Sequence, residues 1–171
     1  MTQLASTILF SGGGLLILLA LSAFFSASET SLSSISKVDL RQLRKSADRT
    51  DRTIVRILAD PSRMITTILI GNNIVNIWSS SIATAFAIGV AGEEGVGIGT
   101  AIMTVVILLF SEITPKTVAA ANPRKTARKF APAVDLVQRL LYPLVIAFSA
   151  INSFFLGILQ KFTHESSRQL T

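Results

Sequence analysis

The stretch that decides the fold is residues 64–92, MITTILIGNNIVNIWSSSIATAFAIGVAG, which contains no charged side chain. An α-helix rises about 1.5 Å per residue, so about 20 apolar residues are enough to cross the hydrocarbon core of a bilayer. This stretch is longer than that requirement. It therefore predicts a membrane-spanning helix.

Three other uncharged runs cover residues 1–28, 95–111 and 140–160. The first has no basic residues before it and is too long for the apolar part of a secretory signal, so we interpret it as a retained helix. The third run spans only if its end includes Glu112. The sequence thus predicts an all-α integral membrane protein, with one domain over residues 1–163 and spans at about 7–30, 64–90 and 95–113.

The composition excludes several other classes. Of the 171 residues, 50% are hydrophobic and 15% are charged, and the mean hydropathy is +0.57, whereas soluble domains carry about 25% charge. The net charge of +6 does not indicate a nucleic-acid binder, because the basic residues are not interleaved with stacking aromatics. With no cysteine and one histidine, there is no basis for a disulfide framework, a thiolate or histidine zinc site, or an enzyme of the Ser–His–Asp type.

The basic residues predict the orientation of the chain. Eight lie between the first two runs, five lie at 116–129, and none lies between the second and third runs. Because cytoplasmic loops carry the excess of Lys and Arg, we expect both basic segments in the cytoplasm and the N-terminus outside. The expected location is the inner (cell) membrane.

Amphipathic patterns predict juxtamembrane helices at about 37–59 and 125–161, with their basic side chains among anionic headgroups of the inner leaflet. Asp60-Pro61-Ser62 should end the first, with Asp60 or Ser62 capping the next helix. The fourth run has basic residues on both sides and is interrupted by Pro132 and Pro143. This favours an in-plane or re-entrant segment, with a fourth crossing as the alternative.

Polar side chains gather where three predicted spans approach the cytoplasmic side. Ser22, Ser26 and Glu29 form one stripe, Asn72 and Asn76 share a helix face with Asn73 beside it, and Glu112 ends the third run. Their oxygens suit a hard cation such as Mg²⁺, Na⁺ or Ca²⁺. The alternatives are helix packing for the serines, structural hydrogen bonds for the asparagines and a helix cap for Glu112. The candidate metal ligands are Ser22, Ser26, Asn72, Asn73, Asn76 and Glu112.

Three segments, FSASET at 25–30, GNN at 71–73 and SEITPK at 111–116, resemble the transmembrane domain of the CNNM/CorC family of magnesium transporters. The resemblance extends from about Leu9 to Phe162. It implies a homodimer of three-span subunits that exports Mg²⁺, with Na⁺ as the expected counter-ion. It also implies a cation site built from Ser26, from Asn72 or Asn73, and from Glu112.

Members of that family usually continue into cytoplasmic CBS domains, so we interpret the polar tail at 164–171 as a truncation before them. Two other functions remain open from the residues: a membrane Mg²⁺ sensor or scaffold that does not transport, and a small proton-coupled exporter in which Glu112 titrates. The second is disfavoured because the aromatic side chains do not gather around the acid.

Overall fold

The structure, a computed structural model, describes residues 2–151 and 153, with side chains from residue 12 onward except at 90, 91 and 93–95. Within this part all regular structure is helical, which confirms the predicted fold class. In chain order the elements are α1 (Thr2–Ser33), α2 (Lys37–Lys45), α3 (Arg49–Leu58), α4 (Pro61–Ile107), a π-helical segment (Leu108–Ile113), α5 (Thr114–Ala121), α6 (Pro123–Leu140) and α7 (Tyr142–Ile151).

Helix α4 is divided at Gly92, whose φ of 67° lies in the left-handed region that side chains rarely adopt. We call residues 61–91 the first arm and residues 93–107 the second arm. Gly99 of the second arm lies directly against Ala87 of the first. The two arms therefore form an antiparallel hairpin. Its turn coincides with the acidic, glycine-containing sequence at residues 92–95.

Helix α1 runs antiparallel to the first arm of α4. Near one end Gly12 approaches Phe86, and near the other the ring of Phe25 covers Gly71. Ser111 in the π-helical segment donates a hydrogen bond to the Leu19 carbonyl of α1. The chain thus makes three passes side by side, in alternating directions.

Two helical stretches in the described residues are long and apolar enough to cross a membrane, Gly12–Ser33 and Val96–Ala121. A third qualifies if α6 and α7, bent by 69°, count as one broken span or re-entrant loop. The first arm of α4 is not among these stretches. The position of the first arm beside α1 follows from the contacts of Gly12 with Phe86 and of Phe25 with Gly71.

The first amphipathic segment forms two helices where the sequence predicts one over 37–59. The break comes at Ser46–Asp48, because the Asp48 carboxylate accepts hydrogen bonds from the backbone N–H groups of Thr50 and Asp51 and so begins α3. These bonds, together with Arg128, hold the pKa of Asp48 below its usual value. Asp60 caps α4 as predicted, by accepting from the Arg63 N–H.

Helices α2, α3 and α6 pack together as a collar against one end of the passes. Asp51 of α3 is 2% exposed and pairs with Arg128 of α6, and Arg56 lies 2.8 Å from Asp135. Apolar side chains complete the contact and join it to α1 and α4. They include Leu32, Leu43, Ile54, Ile57, Met64, Ile68, Ala127, Ala131 and Val134.

The fourth apolar run begins at the bend between α6 and α7. Helix α6 continues through Pro132, and the change of direction comes at Leu141, just before Pro143. Pro143 lacks an N–H and fits the first turn of α7, where that donor is not needed. The guanidinium of Arg63 lies 4.6 Å from the centre of the Tyr142 ring, which holds the bend against α4. The predicted tail at 164–171 lies outside the described residues.

Replacing Gly71 by Ala should destabilise the packing of α1 on α4. A Cβ atom at this position would overlap Cζ of the buried Phe25 ring, and overpacking of this kind costs about 1–3 kcal/mol. We expect a lower thermal unfolding midpoint in detergent. The matched control is Gly13→Ala, because nothing lies within 4 Å of a Cβ there; equal midpoints for the two variants would contradict this packing.

Candidate cation site

Ser22 of α1 connects two asparagines of the first arm of α4. Its Oγ lies 3.2 Å from Oδ1 of Asn72 and 2.7 Å from Oδ1 of Asn76. The two asparagines are one helical turn apart and so present their amides to the same side of the arm. Ser22 itself is completely buried, so α1 and α4 enclose this contact.

The three oxygens of this contact have one hydroxyl hydrogen to share. A serine carries a single O–H donor, whereas each amide oxygen is an acceptor with two lone pairs. The Ser22 hydroxyl can therefore satisfy one asparagine oxygen at a time. The result is a place where three side-chain oxygens converge, and a cation could bind among them.

Glu112 brings the third pass to this cluster. Asn76 Nδ2 donates toward Glu112 Oε1 at 3.5 Å. The Asn76 amide therefore contacts Ser22 through its oxygen and the Glu112 carboxylate through its nitrogen. Ser22, Asn72, Asn76 and Glu112 thus form one connected group from three passes of the chain. We call these four residues the polar cluster.

A π-helical turn places Glu112. Pro115 has no N–H for the Ser111 carbonyl four residues earlier, so an α-helical bond cannot form there. The N–H of Thr114 bonds instead to the Leu109 carbonyl, five residues back. Single π-helical turns of this kind are frequent at functional sites, and this one widens the helix at the carboxylate.

Ser26 lies one turn after Ser22 on α1. Its Oγ is buried and has no hydrogen-bond partner among the described residues. An unpaired hydroxyl in an apolar environment is unfavourable by about 1–3 kcal/mol. Ser26 is therefore an unused oxygen on the same helix face as the polar cluster.

Two residues considered from the sequence lie elsewhere. Asn73 is exposed on the surface of the first arm, one residue away from the face that carries Asn72 and Asn76. Glu29 is 43% exposed, and its carboxylate lies 3.9 Å from the ammonium of Lys116. The structure thus brings together Ser22, Asn72, Asn76 and Glu112, but not Asn73.

The chemistry of the polar cluster is that of hydroxyl, amide and carboxylate oxygens. In the described part of the chain, no three His, Cys, Asp or Glu side chains gather as metal ligands. Such a donor set favours hard cations over transition metals. With one carboxylate, the cluster suits loose binding of a hydrated ion more than permanent retention.

The π-helical segment is the feature of the site that the sequence reasoning missed. The signal was present in Pro115, three residues after Glu112 and inside a helical pattern. The candidates from the sequence include Ser22 and Asn76, but the family motifs point to Ser26, to Asn72 or Asn73 and to Glu112. The helix faces that meet, and not the motifs, decide which asparagine contacts Ser22.

These observations define a multi-pass helical membrane domain with an oxygen-lined polar cluster between its passes. The chain belongs to the CNNM family, described as the Cyclin M transmembrane N-terminal domain, which it matches over residues 14–171. The predicted family resemblance is therefore confirmed. Proteins of this family are generally transporters and not enzymes.

Several curated proteins are similar to the chain. It is 36% identical over 139 residues to the UPF0053 inner membrane protein YfjD of Escherichia coli (strain K12), covering 81% of this chain and 32% of that protein. It is 41% identical over 131 residues to a UPF0053 protein of Haemophilus influenzae, covering 77% and 31%. It is 39% identical over 146 residues to a chloroplastic DUF21 domain-containing protein of Arabidopsis thaliana, covering 85% and 22%. The chain spans about a third or less of the length of these relatives.

Removing Asn76 should weaken the contact between α1, α4 and the π-helical segment. In membrane proteins, side-chain hydrogen bonds between helices contribute about 0.6 kcal/mol on average and up to about 1.7 kcal/mol. We expect Asn76→Ala to lower the unfolding midpoint in metal-free detergent solution, and the exposed Asn73→Ala to leave it unchanged. A larger effect of Asn73→Ala would show that the arm is rotated from the orientation described.

Proposed function

We propose that this chain is the cation-binding membrane domain of a Mg²⁺ transporter that moves Mg²⁺ out of the cytoplasm. Membership of a family associated with Mg²⁺ transport supports this proposal. So does the description of a similar protein, YfjD, as an inner membrane protein. The proposed substrate is Mg²⁺, and Na⁺ is the proposed counter-ion.

The observation that carries the proposal is the convergence of side-chain oxygens in the polar cluster. Oxygens of Ser22, Asn72 and Asn76 converge within 3.2 Å around one hydroxyl hydrogen, and the Glu112 carboxylate adjoins them. A cation among these oxygens would replace the shared hydrogen bond and offset the carboxylate charge. Ser26, with its unused hydroxyl, is the proposed further ligand on α1.

The composition of the site favours Mg²⁺ that keeps part of its water shell. Mg²⁺ requires near-octahedral oxygen ligands at about 2.0–2.1 Å and loses water reluctantly, so it usually binds through one or two carboxylates and several waters. Asn72, Asn76 and Glu112 are partly exposed, which leaves room for such waters. Weak binding at millimolar Mg²⁺ is what a transporter needs in order to release its substrate.

The proposed assembly is a two-fold homodimer in the inner membrane. Few residues of the apolar stretch Val96–Ala121 are buried within the single chain, so lipid or a second copy must cover the rest. Ser80, Ser81 and Ala85 are small and exposed on the first arm, so they would permit close approach of a helix from the second copy. In this assembly the collar lies at the inner leaflet among anionic headgroups, and the polar cluster opens to the cytoplasm.

Replacing Glu112 by Gln should reduce Mg²⁺ affinity more than tenfold, or about 1.4 kcal/mol, because it removes the carboxylate of the cluster while keeping its shape. Protection against thermal unfolding, titrated with Mg²⁺, measures this affinity. The matched control is Glu29→Gln, which removes a carboxylate paired with Lys116. Unchanged protection in Glu112→Gln would contradict the assignment of the site.

Flux separates a transporter from a sensor that binds the same ion. In proteoliposomes with the Mg²⁺ and Na⁺ gradients varied independently, we expect Mg²⁺ movement that depends on an opposing Na⁺ gradient and is lost in Glu112→Gln. Mg²⁺ binding without any flux would favour the sensor. Flux driven by a proton gradient would favour the proton-coupled exporter.

Cysteine labelling tests the proposed orientation, because the chain contains no native thiol. A cysteine at Thr50, in α3, should react with an impermeant maleimide only from the cytoplasmic side, and one at Glu93 only from outside. A cysteine at Thr163 should behave like that at Thr50 if the fourth run stays at the inner leaflet. Labelling of position 163 from outside would show that this run crosses the membrane.

A further inference from the structure

An apolar groove lies on the far side of α1 from the polar cluster. It has a volume of about 620 Å³ and is enclosed by α1, α5 and α6. Ala20, Ala23, Phe24 and Ala27 form its α1 wall, about 130° around the helix from Ser22 and Ser26 at 3.6 residues per turn. The groove is therefore separate from the cation site, although the two share a helix.

The walls of the groove are mainly apolar. Pro115 and Val118 of α5 face it across from α1, and Val118 is 60% exposed. Phe24 and Phe130 meet edge to face at a centroid distance of 5.3 Å and close one side. The four α1 positions extend over about 10 Å along the helix axis. This shape suits an acyl chain lying along α1.

Two lysines stand at the edge of the groove on α6. Lys125 and Lys129 are four residues apart, on one helix face, and both are exposed. The Lys129 ammonium lies 5.3 Å from the centre of the Phe130 ring, over the apolar wall. Within the described residues neither lysine takes part in a salt bridge, whereas Arg128 between them is paired with Asp48 and Asp51. The edge of the groove therefore carries two uncompensated positive charges.

We propose that this groove is a binding site for one anionic phospholipid, with an acyl chain against α1 and α5 and the phosphate at Lys125 and Lys129. The charge of the edge and the apolarity of the walls match the two parts of such a lipid, and basic pockets between membrane helices are typical sites for anionic headgroups. The site differs from general attraction of a basic collar to the membrane, because it has a defined place for the acyl chain.

The bound lipid acts on the elements that carry the polar cluster. Its acyl chain fills the space between α1, which bears Ser22, and α5, which continues directly from the π-helical segment with Glu112. Filling this space fixes the separation of the two helices. The inference does not depend on the identity of the cation or on transport.

The test is lipid binding to the purified chain in neutral detergent. Phosphatidylglycerol and phosphatidylcholine with the same acyl chains are titrated, and native mass spectrometry counts the lipids bound per chain. We expect one phosphatidylglycerol to bind at least tenfold more tightly than phosphatidylcholine. Equal affinity for the two lipids would overturn the proposal.

Charge variants locate the headgroup. The double variant Lys125→Gln/Lys129→Gln should lower phosphatidylglycerol affinity about thirtyfold, the effect expected for losing two basic side chains near an anionic phosphate. The matched control is Arg41→Gln/Lys45→Gln, which removes two exposed charges at the same spacing on α2. A similar loss in both double variants would replace the discrete site with general surface attraction.

Groove variants locate the acyl chain. Val118→Trp should fill the groove and lower phosphatidylglycerol affinity, whereas Val105→Trp, at a similarly exposed valine outside the groove, should not. Millimolar glycerol phosphate should not displace the lipid; displacement would show a simple anion site. Disulfide cross-linking of Val118→Cys between two copies would assign the groove to a protein interface and overturn the proposal.

Discussion

The contact between Ser22 and the two asparagines of α4 is the constraint on which the rest of the structure depends. Polar groups within a membrane helix are unfavourable unless they face a partner, so they decide which sides of the helices meet. Here Ser22 is fully buried and lies within hydrogen-bond distance of Asn72 and Asn76. In this arrangement Phe25 lies over position 71, where a Cβ atom would collide with its ring. The register of α1 against α4 follows from both contacts.

The collar stabilises this arrangement from the side of the basic segments. Asp51 is a nearly fully buried carboxylate that depends on Arg128 for its charge partner, because an unpaired buried charge would be strongly destabilising. That pair joins α3 to α6, and the apolar core between them includes Leu32 of α1 and Met64 and Ile68 of α4. The collar is thus packed on the ends of the helices that carry Ser22 and Asn72. A displacement of the collar must therefore also displace the ends of α1 and α4.

The polar cluster and the apolar groove lie on different sides of α1 and differ in their chemistry. One side presents hydroxyls, of which Ser26 remains unpaired in the described residues, and meets amides and a carboxylate. The other presents alanines and a phenylalanine to an apolar groove edged by lysines. A single helix therefore stands between a place suited to a cation and a place suited to an anionic amphiphile. Both places also involve the third pass, through Glu112 and through Pro115 and Val118.

The sequence alone determined the helical class, the places of the apolar runs, the cap at Asp60 and the set of oxygen-bearing residues. These follow from local properties: run length, charge spacing and the residues that favour helix ends. The break of the collar at Asp48 and the π-helical turn before Pro115 also have local causes, although the sequence reasoning did not use them. Only the tertiary structure decided that Asn76 joins Ser22 to Glu112 while Asn73 stays exposed, and that Asp51 is buried against Arg128. Those pairings depend on how helices rotate and approach one another, and residues 36 or 77 positions apart in the sequence give no local sign of them.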